Sequence, residues 1–102
     1  FLEGPWHKGR VVLLGDAAHA TTPHLGQGAG MAIEDSVVLG EEIASKADVE
    51  SALQAYHARR YDRCKYIVDA SVGICRGQLG IGPAVDQAEA NRGLFARIAQ
   101  PL

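Results

Sequence analysis

The run Arg10-Val11-Val12-Leu13-Leu14, closed by Gly15-Asp16, restricts this chain more than any other stretch. Consecutive apolar residues, two of them β-branched, describe a strand covered on both faces rather than one half open to water. The expected strand covers about residues 10–15, and no second run of this kind follows. A lone strand does not make a stable sheet. The chain is therefore expected to be a piece of a larger α/β protein, or to pair with another copy of itself through the strand's open edges.

Everything after the strand reads as helix and loop. Residues 1–9 hold Gly4, Pro5 and Gly9 and read as a loop. Ala17-Ala18-His19-Ala20 has room for one helical turn, which Thr21-Thr22-Pro23 ends, because Pro23 pushes Thr22 toward extended geometry. Gly26-Gln27-Gly28-Ala29-Gly30 follows as a flexible loop. From about 28 to 45 apolar residues recur at three- and four-residue steps, with Met31, Ala32, Val38, Leu39, Ile43 and Ala44. A second helix starts after Asp48, a good N-cap, with Glu50 in its first turn. Its stripe of Val49, Leu53, Tyr56, Cys64, Ile67 and Val68 runs to about Cys75. Gly77, Gly80, Gly82 and Pro83 form a loop, and a third helix covers about 84–98, with Leu94, Phe95 and Ile98 on its apolar side. The fold class is a mostly helical α/β fragment: one buried strand followed by three helices.

Composition narrows the partners. A length of 102 residues allows one domain. With 47% hydrophobic and 22% charged residues, collagen, a disordered tail and a disulfide scaffold are excluded. Ten Lys+Arg against twelve Asp+Glu leave a net charge of -2, no footprint for nucleic acid. The one basic cluster, Arg59-Arg60, Arg63 and Lys65, reads as a solvated helix face. No apolar run approaches the roughly 18 residues of a membrane span, and Phe1-Leu2-Glu3-Gly4-Pro5 lacks the character of a signal peptide. Cys64 and Cys75 stand eleven residues apart on one helix. That separates them by roughly 16 Å, against the roughly 7 Å a disulfide allows. Free thiols in a reducing, cytoplasmic setting are expected. No CxxC or paired Cys/His spacing suggests a zinc site.

The chemistry lies between Gly15 and Asp35. A buried strand delivers a carboxylate, Asp16, at its C-terminal end, where ligands of open α/β sheets collect. A glycine-rich loop then opens into a helix. Gly26, Gly28 and Gly30 strip side chains from the approach, so backbone N–H groups can reach a ligand. The helix start adds partial positive charge. Such a site suits a ligand with hydroxyls for Asp16 and an electron-rich or anionic edge for the helix. The plainer alternative is that Asp16 caps the next turn.

These residues resemble a known family. Gly15-Asp16-Ala17-Ala18-His19-Ala20-Thr21-Thr22-Pro23 resembles the G-D-A-A-H-x-x-x-P segment of flavin-dependent aromatic hydroxylases, such as the para-hydroxybenzoate and salicylate hydroxylases. Gly26-Gln27-Gly28-Ala29-Gly30-Met31-Ala32-Ile33-Glu34-Asp35 resembles that family's G-Q-G-x-N-x-x-x-E-D, and Trp6 to Val12 resembles its lead-in. The likeness is specific over about 5–45 and weaker beyond. It implies a larger FAD-binding Rossmann-type domain, with residues 1–102 as a C-terminal fragment. The strand and flavin loop would occupy about 10–30 and the helical remainder about 28–98. It implies that Asp16 hydrogen-bonds the FAD ribityl chain. Backbone groups near Gly28, Ala29 and Gly30 would meet the pyrimidine edge of the flavin, Gly26 and Gln27 would also belong to the cofactor-binding residues, and Pro23 would lie beside its ring. The family often has Asn where this chain has Gly30, which removes an amide contact and leaves the backbone one. NAD(P)H would be the electron donor and a small aromatic ring the substrate.

In that chemistry the flavin, not a histidine, carries the reaction, so no catalytic residue is assigned and His19 and His24 are read as structural. Glu34 and Asp35 are read as serving helix stability through the dipole, or packing. Tyr56, Tyr61, Arg59 and Arg60 are read as packing and surface. No G-x-G-x-x-G for the ADP half of FAD occurs, so the fragment alone is expected to be inactive and to self-associate. Two rival functions remain: another flavin enzyme (reductase, halogenase or epoxidase) sharing this segment, or a helical assembly module with no redox role.

Overall fold

A 30-residue helix sets the dimensions of the molecule. The structure, a computed structural model, describes all 102 residues. Two short strands, β1 (His7–Lys8) and β2 (Val11–Val12), come first. The one-turn helix α1 (Asp16–His19), a 3-10 turn at Pro23–Leu25 and helix α2 (Gly28–Ser45) follow. Helices α3 (Val49–Gln78) and α4 (Gln87–Ile98) complete the chain. At about 1.5 Å per residue α3 is about 45 Å long, close to the longest molecular extent of 48 Å. Helix α2 packs along α3, and α4 lies against its other end.

The caps explain where the helices start. Asp48 accepts from Ser51 N at 2.8 Å and begins α3, and Asp86 accepts from Ala88 N at 3.0 Å and begins α4. These side chains satisfy N–H groups that a helix start leaves open. Helix α3 runs through Gly73 to Gln78, past its expected end, and Gly80 just beyond takes a φ of +73°. Thr22 is extended, with φ -75° and ψ 158°, as its following proline requires.

The strand departs from expectation. Only Val11–Val12 is extended, and it pairs antiparallel with His7–Lys8, His7 opposite Val12 and Lys8 opposite Val11. Gly9, at φ +59°, takes the first position of the two-residue turn between them, where a positive φ is needed. Val11 is 70% exposed. The run is therefore not covered on both faces by this chain. The physical reason is local: its own upstream residues fold back as a partner, which a reading of 1–9 as loop misses. Trp6 causes this. It is 1% exposed, edge-on to Phe1 and His57, and its Nε1 donates to Leu2 O at 2.9 Å. Leu13 N donates to Trp6 O at 2.7 Å, and Tyr56 Oη donates to Leu13 O at 3.0 Å. The opening segment is thus anchored on α3 rather than loose.

The core contains Trp6, Met31, Val38, Tyr56, Cys64, Ile67 and Leu94. Both cysteines are free, Cys64 buried and Cys75 partly so. No helix is long and apolar enough to cross a membrane.

Candidate functional site

Where α1 meets the head of α2, an open cleft of about 630 Å³ forms. One wall carries Asp16, Thr21, Thr22 and Pro23, and the other Gly26, Gly28, Ala29 and Ala32. Of the seven residues singled out from sequence, Asp16, Pro23, Gly26, Gly28 and Ala29 line it. Gln27 and Gly30 belong to the same turn but not to the wall. Gln27 stands at the N-cap of α2 without a side-chain cap bond, and its Oε1 lies 3.4 Å from where a Cβ on Gly30 would sit.

The conformations that build the cleft are specific. Gly15 turns the chain from β2 into α1 at φ +62°, a left-handed value that favours glycine. A Cβ there would also stand 3.3 Å from Ala32 Cβ. The turn leaves Asp16 exposed at the cleft, while the buried donors beside it, Gly15 N and His19 Nε2, go to Asp35. Two buried hydroxyl oxygens, Thr21 Oγ1 and Thr22 Oγ1, have no partner within the chain. The first N–H groups of α2 have no side-chain cap. A free carboxylate, unpartnered hydroxyls and a helix start together suit a polyhydroxylated ligand with an electron-rich edge.

Beneath the cleft lies a charged cluster. Asp35, fully buried, accepts from Gly15 N at 3.0 Å, meets His19 Nε2 at 2.5 Å, and takes Arg60 Nε at 2.7 Å. Glu34 pairs with Arg60 Nη1 at 2.8 Å and with Arg63 Nε at 2.9 Å. Arg63 reaches on to the carbonyls of Arg97, Ile98 and Gln100 at the end of α4. Burial alone would raise the Asp35 pKa, but the hydrogen bonds from His19, Gly15 and Arg60 outweigh it and hold the carboxyl below its usual range. Burial, the largest single effect, likewise pulls His19 down, and its interactions with Asp35 and Cys64 together more than reverse this, lifting it to about 9. Glu34 is lowered by Arg63 and Arg60 against the opposing effect of burial.

This cluster corrects two sequence readings. Arg60 is fully buried and Arg63 is 6% exposed, so they are not a solvated face. Glu34 and Asp35 lie beyond the first turn of α2, which holds no acid, so they do not serve its dipole, and of the two readings the packing one holds. Two acids on α2 face two arginines three residues apart on α3, the Asp35–Arg60 pair fully and the Glu34–Arg63 pair partly buried, because each side supplies the other's hydrogen bonds. The acid pair and the Arg60/Arg63 spacing were the available signals. Sequence reasoning also missed Thr21, Thr22 and Ala32 as cleft residues. His19 is buried against Asp35, and His24 Nε2 is bound to Gln78 Oε1 at 3.0 Å.

The same cluster brings His19, Asp35 and Cys64 within ligand range of one another. The Arg60 guanidinium already sits among them, 3.3 Å from Cys64 Sγ, and supplies the positive charge a metal would bring.

Comparison with known proteins gives the chain a family. Residues 1–71 match the family model described as "FAD binding domain". YetM of Bacillus subtilis (strain 168), whose name assigns it provisionally to the FAD-dependent monooxygenases, is 50% identical over 86 residues, 84% of this chain and 23% of its own. The aurachin C monooxygenase/isomerase of Stigmatella aurantiaca is 47% identical over 75 residues, 74% of this chain and 19% of its own. An FAD-dependent urate hydroxylase of Klebsiella pneumoniae is 51% identical over 61 residues, 60% of this chain and 16% of its own. The chain thus spans about a fifth of the length of the curated relatives it matches. No solved structure matches it.

Proposed function

This chain belongs to the FAD-binding domain family, and from that premise we propose that it supplies the ribityl-and-ring side of the FAD site in a flavoprotein monooxygenase. The observation that carries the reading is the cleft, which Asp16 and the uncapped head of α2 line together. Asp16 accepts hydrogen bonds from ribityl hydroxyls. Thr21 and Thr22, whose hydroxyl oxygens are otherwise unpartnered, add polar contacts. The backbone from Gly26 through Gln27, Gly28 and Ala29 to Gly30 receives the electron-rich edge of the flavin ring, helped by the partial charge of the helix start. Pro23 packs beside the ring. Bound FAD, reduced by NAD(P)H, supplies the oxygen activation that hydroxylates a small aromatic substrate in the cytoplasm.

The isolated chain has no pyrophosphate cradle, so it purifies colourless and turns nothing over. With Val11, Ile33 and Val37 exposed, it self-associates; a compact monomer in sedimentation at high concentration would contradict that.

The test is Asp16→Ala in the full-length protein. Charge-assisted hydrogen bonds contribute about 1.5–3 kcal/mol each, so FAD binding weakens by about ten- to a hundredfold. Melting of the apoprotein changes by no more than about 0.5 kcal/mol, because Asp16 is exposed. Unchanged affinity with a less stable apoprotein would make Asp16 a local cap instead.

A further inference from the structure

Asp16 and the head of α2 come from separate stretches of chain, yet the cleft needs both in register. Helix α1, which starts with Asp16, is four residues long. Isolated helices below about 12 residues do not hold themselves together in water. The direction of Asp16 must therefore be fixed from outside α1. The residue before it, Gly15, donates its N–H to Asp35 Oδ2 at 3.0 Å. Three residues after it, His19 Nε2 meets the same oxygen at 2.5 Å. Both ends of the turn converge on one atom. The second oxygen, Oδ1, takes Arg60 Nε at 2.7 Å, which fixes the carboxylate's own orientation. Asp35 stands on α2, about two turns beyond Gly28 and Ala29.

We propose that Asp35 is a positioning residue for the cleft: through Gly15 and His19 it aims Asp16, and because it is carried by α2 it sets that carboxylate against the helix head. The proposal rests on Asp16 being a flavin ligand. It differs from a purely structural role in one respect. A structural Asp35 holds α1, α2 and α3 together, and its loss affects FAD affinity equally whether or not Asp16 is present. A positioning Asp35 acts on affinity through Asp16, so the two effects are coupled.

A double-mutant cycle in the full-length protein separates these, read by FAD titration of the apoprotein and by apoprotein melting. His19→Ala cuts one of the two clamps and leaves the Asp35–Arg60 pair intact. It should weaken FAD binding about tenfold with Asp16 present and about twofold or less in the Asp16→Ala background, the coupling expected of groups in one network. His19→Gln, which keeps a donor toward Asp35, should recover part of the loss, and it takes the place of His19→Ala in the cycle if that variant does not fold. Equal losses in both backgrounds, or a lower melting temperature with unchanged affinity, would overturn the positioning role alone. Full FAD affinity in Asp16→Ala by itself would overturn the flavin reading, and this proposal with it.

Discussion

Asp16 and Asp35 are the same residue type in opposite settings, at the open cleft and in the sealed seam below it. Asp16 is exposed, with no resolved cap or ion-pair role in α1. Asp35 is fully buried and gathers a backbone N–H, an imidazole and a guanidinium. A buried carboxylate survives only when its lone pairs are filled. An exposed one costs little to leave free, and is therefore the one available to a ligand. The difference teaches that charge in this chain divides by depth: the acids of the seam are paired with arginines, and the carboxylate at the cleft is left open.

The comparison can be broken most forcefully at Arg60. Arg60→Ala leaves Asp35 and part of Glu34 as buried acids without their main cation. Removing one partner of a buried pair costs about 3–5 kcal/mol, so the variant should unfold at much lower denaturant, seen as a drop in urea midpoint. A variant within about 0.5 kcal/mol of the parent would show that the seam does not carry the stability assigned to it.

A smaller effect needs no mutation. The pKa of His19 is raised in the folded state to about 9. Its contribution is complete below the unfolded value near 6.5 and is lost as pH rises through about 9. The titratable groups that face it are Asp35 and Cys64, and the pKa of Tyr56 in the same cluster is itself raised, by burial and then by Asp35. On the acid side Asp35, lowered in the folded state, stabilises above the usual carboxylate pKa and loses that contribution as pH falls through its folded value. Melting temperature plotted against pH should therefore slope downward between about pH 7 and 9. In His19→Gln the alkaline slope should flatten; a persistent slope would assign it to another group.

Sequence legibility followed the range of the interactions. The three long helices were readable because caps and apolar periodicity are local. Asp48 and Asp86 stand where α3 and α4 begin. The cleft was largely readable too, since Asp16, Pro23, Gly26, Gly28 and Ala29 lie within fourteen residues of one another. What failed was long-range. Arg60 reaches Asp35 across 25 positions and Tyr56 reaches Leu13 across 43. Nothing in the neighbourhood of Arg59-Arg60 tells a solvated arginine from a buried one. The helical step from Arg60 to Arg63 places both on one side of α3, but the acids that make burial affordable are on another helix.

By itself, then, the sequence determined the helices and the placing of one carboxylate ahead of a glycine-rich helix start. Those depend on backbone sterics and on contacts a few residues apart, which every copy of the chain carries in its local order. Only the tertiary structure decided that Trp6 closes the opening segment onto α3, that Val11–Val12 finds its partner in His7–Lys8, and that Asp35 rather than Asp16 becomes the buried anion. Each of those outcomes depends on which groups burial brings together. A charge is tolerated inside a protein only where partners from distant parts of the chain arrive to hydrogen-bond it.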